Sequence, residues 1–158
     1  MKPTHKNPII LLLLLVFSLI NGRMVSAQDV AALPPGQLTI IQYIMDDRPV
    51  LASLLTTAGL VPVLSGNAPY TLLAPPEQAL ASLKNESPDK VRNILSGYIL
   101  KGKYLETDLK DGASVETLNG NKIKICRKDG TMVNGVLLTK TNQEVRNGVI
   151  HQLKNALN

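Results

Sequence analysis

Apolar residues at helical spacing predict two short helices after residue 36. The first is expected over about residues 38–46. The second is expected to begin at Arg48-Pro49, because proline is favoured at the first helical position, and to end at Gly59, where a left-handed residue closes a helix. The apolar faces of these helices comprise Leu38, Ile41, Ile44 and Met45, then Leu51, Leu54, Leu55 and Ala58.

A strand and two further helical segments are predicted in the middle of the chain. The short apolar run of residues 69–74 is typical of a strand, and Pro75-Pro76 stops it before a helical turn. Ser87-Pro88-Asp89 supplies a capping hydroxyl, a helix-starting proline and a first-turn carboxylate, so it predicts a helix that ends at Gly102. The apolar positions are Ala79, Leu80 and Leu83 in the turn, and Val91, Ile94, Leu95 and Tyr98 in the helix.

The pattern changes to a period of two after Tyr104, which predicts strands. Residues 115–118 and 122–125 are expected to form two of them, joined by a tight turn at Asn119-Gly120. Further turns are expected at Asp129-Gly130, Asn134-Gly135 and Asn147-Gly148, and the last apolar residues are Val149, Ile150, Leu153 and Leu157. Because helices come first and strands later, the predicted fold class is α+β.

The strand at 122–125 predicts a sheet with one face in water. Ile123 and Ile125 fall on one face, while Lys122 and Lys124 fall on the other. By the same alternation Cys126 points away from the isoleucine face. We interpret this cysteine as a small packed strand residue, and the alternative is an exposed thiol that links two copies by oxidation.

The first 27 residues have the layout of a secretory signal peptide. Lys2 and Lys6 precede an apolar run that starts at Ile9, and the small residues Val25-Ser26-Ala27 follow it. The run is shorter than the ~20 residues that cross a bilayer, so an uncleaved membrane anchor is the less favoured alternative. The expected division is a signal peptide at 1–27, a short tether at 28–36 and one domain at 37–158. The mature chain is expected to lack a transmembrane segment and to be secreted, periplasmic or associated with the cell surface.

Removing this leader changes the charge of the protein. The whole chain has 17 basic and 12 acidic residues, hence a net charge of +5. Lys2, Lys6 and Arg23 leave with the leader, so 14 basic residues remain and the net charge becomes +2 (14 − 12). The remaining basic residues are interspersed with acidic ones, which argues against a nucleic-acid partner. With one cysteine and no internal disulfide, the mature protein is expected to be a monomer unless Cys126 links two copies.

No catalytic or metal-binding constellation is visible in the sequence, so we predict no catalytic residues, no metal and no cofactor. His151 is the one histidine of the mature chain, and we interpret it as packed or hydrogen-bonded near the final strand. A hydrolase centred on it would need a nearby nucleophile and carboxylate. Asp46-Asp47 and Asp108–Asp111 lack the alternating oxygen ligands of a calcium loop. Asn85-Glu86-Ser87 is a formal glycosylation acceptor, and the capping role of Ser87 makes it incidental.

Four strings, in order along nearly the whole mature chain, resemble the fasciclin domain family. The first is Tyr70-Thr71-Leu72-Leu73-Ala74-Pro75; the second is Asn93-Ile94-Leu95 with Gly102-Lys103-Tyr104; the third runs from Asp108-Leu109 to Thr117-Leu118-Asn119-Gly120; the fourth is Asn147-Gly148-Val149-Ile150-His151. The resemblance implies a β-wedge or sandwich with the N-terminal and middle helices packed on it. It also implies adhesion, matrix association or ligand binding outside the cytoplasm, and no catalytic residues.

Two departures from the family pattern matter, the first for local packing and the second for function. In the first signature, Pro76 stands where the family usually has Thr or Ser, and Glu77 stands where it usually has Asn or Asp. Leu80 replaces the usual Phe. Gly97-Tyr98 stands where many members carry the Tyr-His pair linked with animal receptor adhesion, so that role does not transfer and the chain looks more like a secreted single-domain bacterial member. The expected function is a non-enzymatic exported module that binds a surface or extracellular-matrix protein or polysaccharide, through residues that the sequence leaves unidentified. The alternatives are a small-molecule carrier with an apolar pocket between helices and sheet, and a hydrolase centred on His151.

Overall fold

The computed structural model describes residues 34–157, except for the side chain of Pro35. The predicted signal peptide at 1–27 and most of the predicted tether lie outside these residues. The helices are α1 (Ile40–Asp47), α2 (Pro49–Thr57), α3 (Val61–Ser65) and α4 (Pro88–Ser96), with 3-10 segments at Pro35–Gln37, Glu77–Asn85 and Glu106–Asp108. The strands are β1 (Tyr70–Ala74), β2 (Ile99–Lys101), β3 (Ser114–Glu116), β4 (Lys122–Arg127), β5 (Thr131–Val133), β6 (Val136–Val145) and β7 (Gly148–Leu153).

Local capping chemistry sets the helix starts. Thr39 and Gln42 form a capping box, in which the Gln42 amide donates to the Thr39 hydroxyl at 3.4 Å and the Thr39 amide donates to Gln42 Oε1 at 2.9 Å. Pro49 occupies the first turn of α2, and Gly59 follows the helix with φ 64°. The Ser87 hydroxyl accepts from the Lys90 amide at the start of α4. The predicted starts of α2 and α4 are confirmed.

The strands form one seven-stranded mixed sheet in the order β2-β1-β7-β6-β5-β4-β3. β1 and β7 run parallel, with Tyr70 opposite Gly148, and the other neighbours are antiparallel. The two outer strands are joined by a bridge between Leu100 and Thr117, where the Leu118 amide donates to the Ile99 carbonyl at 2.7 Å. The sheet therefore curls into a wedge, and the predicted α+β class is confirmed.

One aliphatic core joins the helices to the sheet. Its fully buried members come from both layers and include Ile40, Ile44, Leu51, Leu55, Leu72, Leu73, Leu80, Leu95, Ile99 and Leu100. Ile123 and Ile125 are buried while Lys122 and Lys124 are exposed, so the predicted alternation along β4 is confirmed. Burial of these side chains is the main favourable contribution to folding.

Two predictions about local structure were wrong, and one helix was missed. Gly102 does not end α4, because the helix stops at Ser96 and the apolar pair Ile99-Leu100 pairs with β1 as strand β2. Helix α3 was not predicted, since its five residues are too few to show a helical period. Met45, expected on the buried face of α1, is 50% exposed because Ile40, Ile41 and Ile44 already fill that face.

Candidate functional site

His151 is fully buried in β7, and both of its ring nitrogens are bound to the main chain. The Asn142 amide donates to Nδ1 at 3.1 Å, and Nε2 lies 2.8 Å from the Tyr104 carbonyl, to which it donates. This pair of bonds requires the neutral ring with its proton on Nε2. The predicted packed and hydrogen-bonded histidine is therefore confirmed. A ring engaged in this way has no nitrogen left to activate a nucleophile, so the geometry does not support a hydrolase centred on His151.

The carboxylate of Glu106 and its hydrogen-bond partners lie near this histidine. Glu106 accepts from the hydroxyls of Thr131 and Thr141, each at 2.9 Å, and its amide donates to the Asn142 side chain. Hydrogen bonds from these two hydroxyls lower the pKa of Glu106. Burial lowers the pKa of His151, while the Tyr104 carbonyl and the Glu106 charge oppose that shift. The network ties the segment after β2 to β5, β6 and β7.

Asn147 is a buried structural residue that the sequence presented only as part of a turn. Its Oδ1 accepts from the Ile40 amide at 2.8 Å, and its Nδ2 donates to the carbonyls of Leu64 and Gly66, both at 2.8 Å. One side chain thus joins α1, the end of α3 and the β6–β7 turn. The next residue, Gly148, must lack a side chain, because a Cβ there would lie 1.9 Å from the Tyr70 carbonyl oxygen. At this position the Asn-Gly pair serves close packing as well as the turn.

The Gly97-Tyr98 position does not present an aromatic ring to solvent. Gly97 caps α4, and Tyr98 is only 6% exposed, with its hydroxyl accepting from the Leu157 amide at 2.9 Å. Tyr98 therefore anchors the C-terminal residues to α4. The departure from the Tyr-His pair thus places a structural tyrosine at this point of the fold.

A polar cleft of about 470 Å³ opens beside this tyrosine, between the end of α4 and the β3–β4 and β5–β6 turns. We call it the amide groove and define it by Asn93, Tyr98, Asn119, Asn121, Lys122 and Asn134. The sequence singled out none of these asparagines as ligand-contact residues. Only their convergence in the folded chain marks them, because they come from three separate segments.

The asparagines of the amide groove divide into supporting and available side chains. Asn119 is a support, since it donates to the Asn93 carbonyl and accepts from the Thr117 hydroxyl and the Asn121 amide. Asn134 Oδ1 accepts from the Lys124 amide at 2.8 Å, which leaves its NH₂ group as a donor. The side chains of Asn93 and Asn121 are exposed and make no hydrogen bond with residues 34–157. The groove therefore presents neutral donors and acceptors on a rigid support.

The amide groove continues into a second cleft of about 390 Å³. Asn93 and Asn119 line both clefts, and the second one also contains Asp89 and Arg92. The Arg92 guanidinium donates to the carbonyls of Ala58 and Gly59, at 3.0 and 3.3 Å. Together the two clefts form an extended polar surface along α4.

The structure also shows an apolar cavity of about 420 Å³, lined by Pro49, Val50, Ser53, Leu54, Thr57, Leu83 and Lys84. It lies between α2 and the 3-10 segment at Glu77–Asn85. The carrier hypothesis placed its pocket between the helices and the sheet, and this cavity is elsewhere.

The remaining sequence candidates have structural surroundings. Cys126 is exposed on β4, beside Met132 of β5, so the favoured interpretation as a packed residue was wrong. Strand alternation explains this, because Ile123 and Ile125 occupy the core face. Asp108 accepts from the Leu105 amide and Asp111 from the Arg127 amide. Across the described ranges, no three His, Cys, Asp or Glu side chains come together as a metal site, and no helix has the length and apolarity to cross a membrane.

Comparisons with known proteins agree on one family. The family model described as Fasciclin domain matches residues 47–158. The chain is 30% identical over 140 residues to transforming growth factor-beta-induced protein ig-h3 of Sus scrofa, an alignment covering 83% of this chain and 20% of that protein. It is 28% identical over 122 residues to the uncharacterized protein sll1735 of Synechocystis, which covers 72% of this chain and 92% of that protein.

A solved structure supports the same fold. The FAS1 domain pair of the insect cell adhesion molecule fasciclin I superposes with a TM-score of 0.60 at 14% sequence identity, over 76% of this chain and half of that one. Human periostin is 24% identical over 133 residues, which is 83% of this chain and 16% of that protein. The chain thus spans a fifth or less of these two mammalian proteins and most of the cyanobacterial one.

Proposed function

Because the chain belongs to the fasciclin domain family, we propose that it is a non-catalytic binding module that works outside the cytoplasm. Its role is adhesion to a surface or matrix component through protein or polysaccharide contacts. The observation that carries the proposal is the family match over residues 47–158, which covers most of the folded domain. The cell adhesion molecule among its structural neighbours supports the same role.

The non-catalytic part of the proposal is supported by the geometry around His151. Its ring nitrogens bind the Asn142 amide and the Tyr104 carbonyl, so the ring acts as a structural cross-link. Each of the acidic residues Glu106, Asp108 and Asp111 accepts hydrogen bonds that order nearby backbone or hydroxyl groups. Among the exposed polar side chains, those of Asn93 and Asn121 in the amide groove make no hydrogen bond with residues 34–157 and are available for contacts.

Adhesion is tested with beads that carry the protein, expressed from its full coding length with its own N-terminal segment. The beads are offered intact cells, isolated cell envelopes and extracellular matrix from the producing organism. We expect retention above that of beads carrying an unrelated protein of similar charge. If the two kinds of beads are retained equally on all three materials, the proposed adhesion role is refuted.

We further propose that export removes residues 1–27, leaves the tether at 28–36, and releases one domain at 37–158. The small residues before Gln28 support this division. Mass spectrometry of the exported protein should find a new N terminus at or near Gln28. A protein that retains Met1 and stays with the membrane fraction would favour the anchor alternative.

The apolar cavity beside α2 favours a second candidate, a carrier of small apolar molecules. Its volume falls in the range of ligand sites, and Val50, Leu54 and Leu83 supply apolar walls. A carrier should melt at higher temperature with fatty acids or terpenoids present. Val50→Asp, at a partly buried wall of the cavity, should abolish that shift. An unchanged melting temperature of the wild-type protein with every ligand would exclude the carrier.

A further inference from the structure

We propose that the amide groove binds an extracellular polysaccharide that carries carboxylate groups, such as a uronic acid polymer. This inference rests on the proposed function and names the ligand class of that binding module. It is carried by the convergence of several amide side chains and one cation in a cleft of about 470 Å³. Nothing in the family match assigns a ligand to this cleft.

The amide side chains suit a hydroxyl-rich ligand. An asparagine amide offers a donor and an acceptor side by side, which matches two neighbouring hydroxyls of a sugar ring. Asn93 and Asn121 have both groups available in the described part of the chain, and Asn134 has its NH₂ donor. Asn119 is fixed by three hydrogen bonds, so the hairpin that carries Asn121 is held in place. This rigidity lowers the entropy lost on binding.

The same surface is poorly suited to a protein partner. Protein interfaces are enriched in aromatic residues, methionine and arginine, and their centres bury apolar anchors. Tyr98 is almost fully buried. Within residues 34–157, Met45 of α1 is the one large apolar side chain with about half of its surface exposed. Met45 is not part of the groove. An exposed protein-docking patch would need several such side chains together.

The charge of the amide groove favours an acidic polymer. Lys122 is exposed, and its cross-strand neighbour Glu116 forms an ion pair with Lys101. The pKa of Glu116 is lowered first by Lys101 and less by the charge of Lys122. Lys122 itself has no ion-pair partner in the portion that the structure describes. A sugar carboxylate would supply that partner, while the neutral asparagines add no repulsion. The ligand thus combines hydroxyls for the amides with a carboxylate for the lysine.

The shape of the surface favours a polymer over a single sugar. The amide groove shares Asn93 and Asn119 with the second cleft, which contains Arg92 and Asp89. A chain lying along α4 would contact both clefts in sequence. The described lining of the two clefts has Tyr98 as its one aromatic residue, and that ring is buried, so no ring is available for stacking and each contact is weak. A repeating polymer compensates by presenting many copies of the same sugar.

The experiment measures binding to three defined probes by ¹⁵N NMR titration and surface plasmon resonance, with the full chain exported under its own leader. The probes are a galacturonic acid oligomer, a neutral galactose oligomer of equal length, and polyglutamate of equal charge. We expect the galacturonic acid oligomer to bind most tightly and to shift the amide resonances of Asn93, Asn121 and Lys122. Raised salt should weaken this binding.

Matched variants locate the site. Lys122→Gln should weaken galacturonate binding about two- to five-fold, as expected for one exposed ion pair. Lys124→Gln, on the same exposed face of β4 but outside the groove, should leave it unchanged. Asn93→Asp should weaken binding on the order of ten-fold, because it replaces a donor with a charge that repels the carboxylate. Asn85→Asp is its exposed control outside the groove.

Each other outcome overturns the inference in a distinguishable way. Equal binding of polyglutamate would show that charge alone acts, and equal binding of the galactose oligomer would show that the carboxylate has no role. Equal loss in Lys122→Gln and Lys124→Gln would place the contact outside the groove. If no carbohydrate binds while the beads still retain cells, the ligand class is wrong and the adhesion role stands. If neither binds, both proposals fail.

Discussion

Acidification should destabilise this protein through His151. The buried ring accepts a hydrogen bond from the Asn142 amide at Nδ1, and protonation of that nitrogen would turn an acceptor into a donor facing another donor. The folded-state pKa of His151 is lowered, first by burial. The unfolded chain, with a histidine pKa of about 6.5, therefore binds the proton more readily. The contribution of the neutral ring to stability is complete above about pH 6.5 and is lost as the pH falls toward the folded-state pKa.

The magnitude follows from one proton. Between the folded and unfolded pKa values of His151, the free energy of unfolding should fall by up to about 1.4 kcal/mol per pH unit. His151→Asn keeps an acceptor but cannot titrate in this range. It should reduce the free energy of unfolding at pH 7.5 by about 2–4 kcal/mol, because the Tyr104 carbonyl loses its donor and a cavity remains.

The assay is urea denaturation of the wild-type protein and of His151→Asn at pH values from 8 to 5, which gives the free energy of unfolding at each pH. The wild-type curve should decline below about pH 6.5, and His151→Asn should flatten that decline. Glu106→Gln should keep the decline below about pH 6.5, because the pKa of Glu106 is lowered and its own contribution disappears only at more acidic pH. Loss of the Glu106 charge removes one influence that opposes the lowering of the His151 pKa, so this decline should extend further toward acidic pH. An equal slope in wild type and His151→Asn, or an NMR titration of the ring at or above pH 6.5, would refute the reasoning.

Three further substitutions test the described contacts by urea denaturation. Asn147→Ala should lower the free energy of unfolding by about 2–4 kcal/mol, since two buried backbone groups and the partly buried Gly66 carbonyl lose their partner. Exposed Asn155→Ala should change it by almost nothing, and similar values for the two variants would contradict the cross-link. Thr39→Ala should lower the free energy of unfolding by about 1 kcal/mol, because the capping box of α1 is lost. An unchanged free energy of unfolding would mean that the cap is dispensable. Cys126→Ser should leave stability unchanged and abolish any oxidised dimer on non-reducing gels; a dimer that persists would involve other contacts.

The sequence was most informative where structure depends on neighbouring residues. Ser87 at the start of α4, Gly59 after α2 and the isoleucine–lysine alternation of β4 are local signals, and each was confirmed. The end of α4 was predicted wrongly because Ile99-Leu100 fits a helical stripe equally well. Pairing with β1, a contact distant along the chain, makes those residues a strand.

The candidate site was harder to predict than the fold. The Asn-Gly dipeptides were correctly interpreted as turns, but a turn residue and a ligand-contact residue have the same sequence signal. Asn119, Asn121 and Asn134 face one cleft only because the β3–β4 and β5–β6 turns meet at the end of α4. Asn147 was missed for the same reason, since its partners lie about a hundred residues earlier in the chain.

The parallel pairing of β1 with β7 also sets the order of folding events. β1 is flanked by β2 on one side and by the last strand of the chain on the other. While the ribosome is still making β6, β1 therefore has only one neighbouring strand. Such long-range pairing slows folding, because β1 keeps one unpaired edge until β7 has been made.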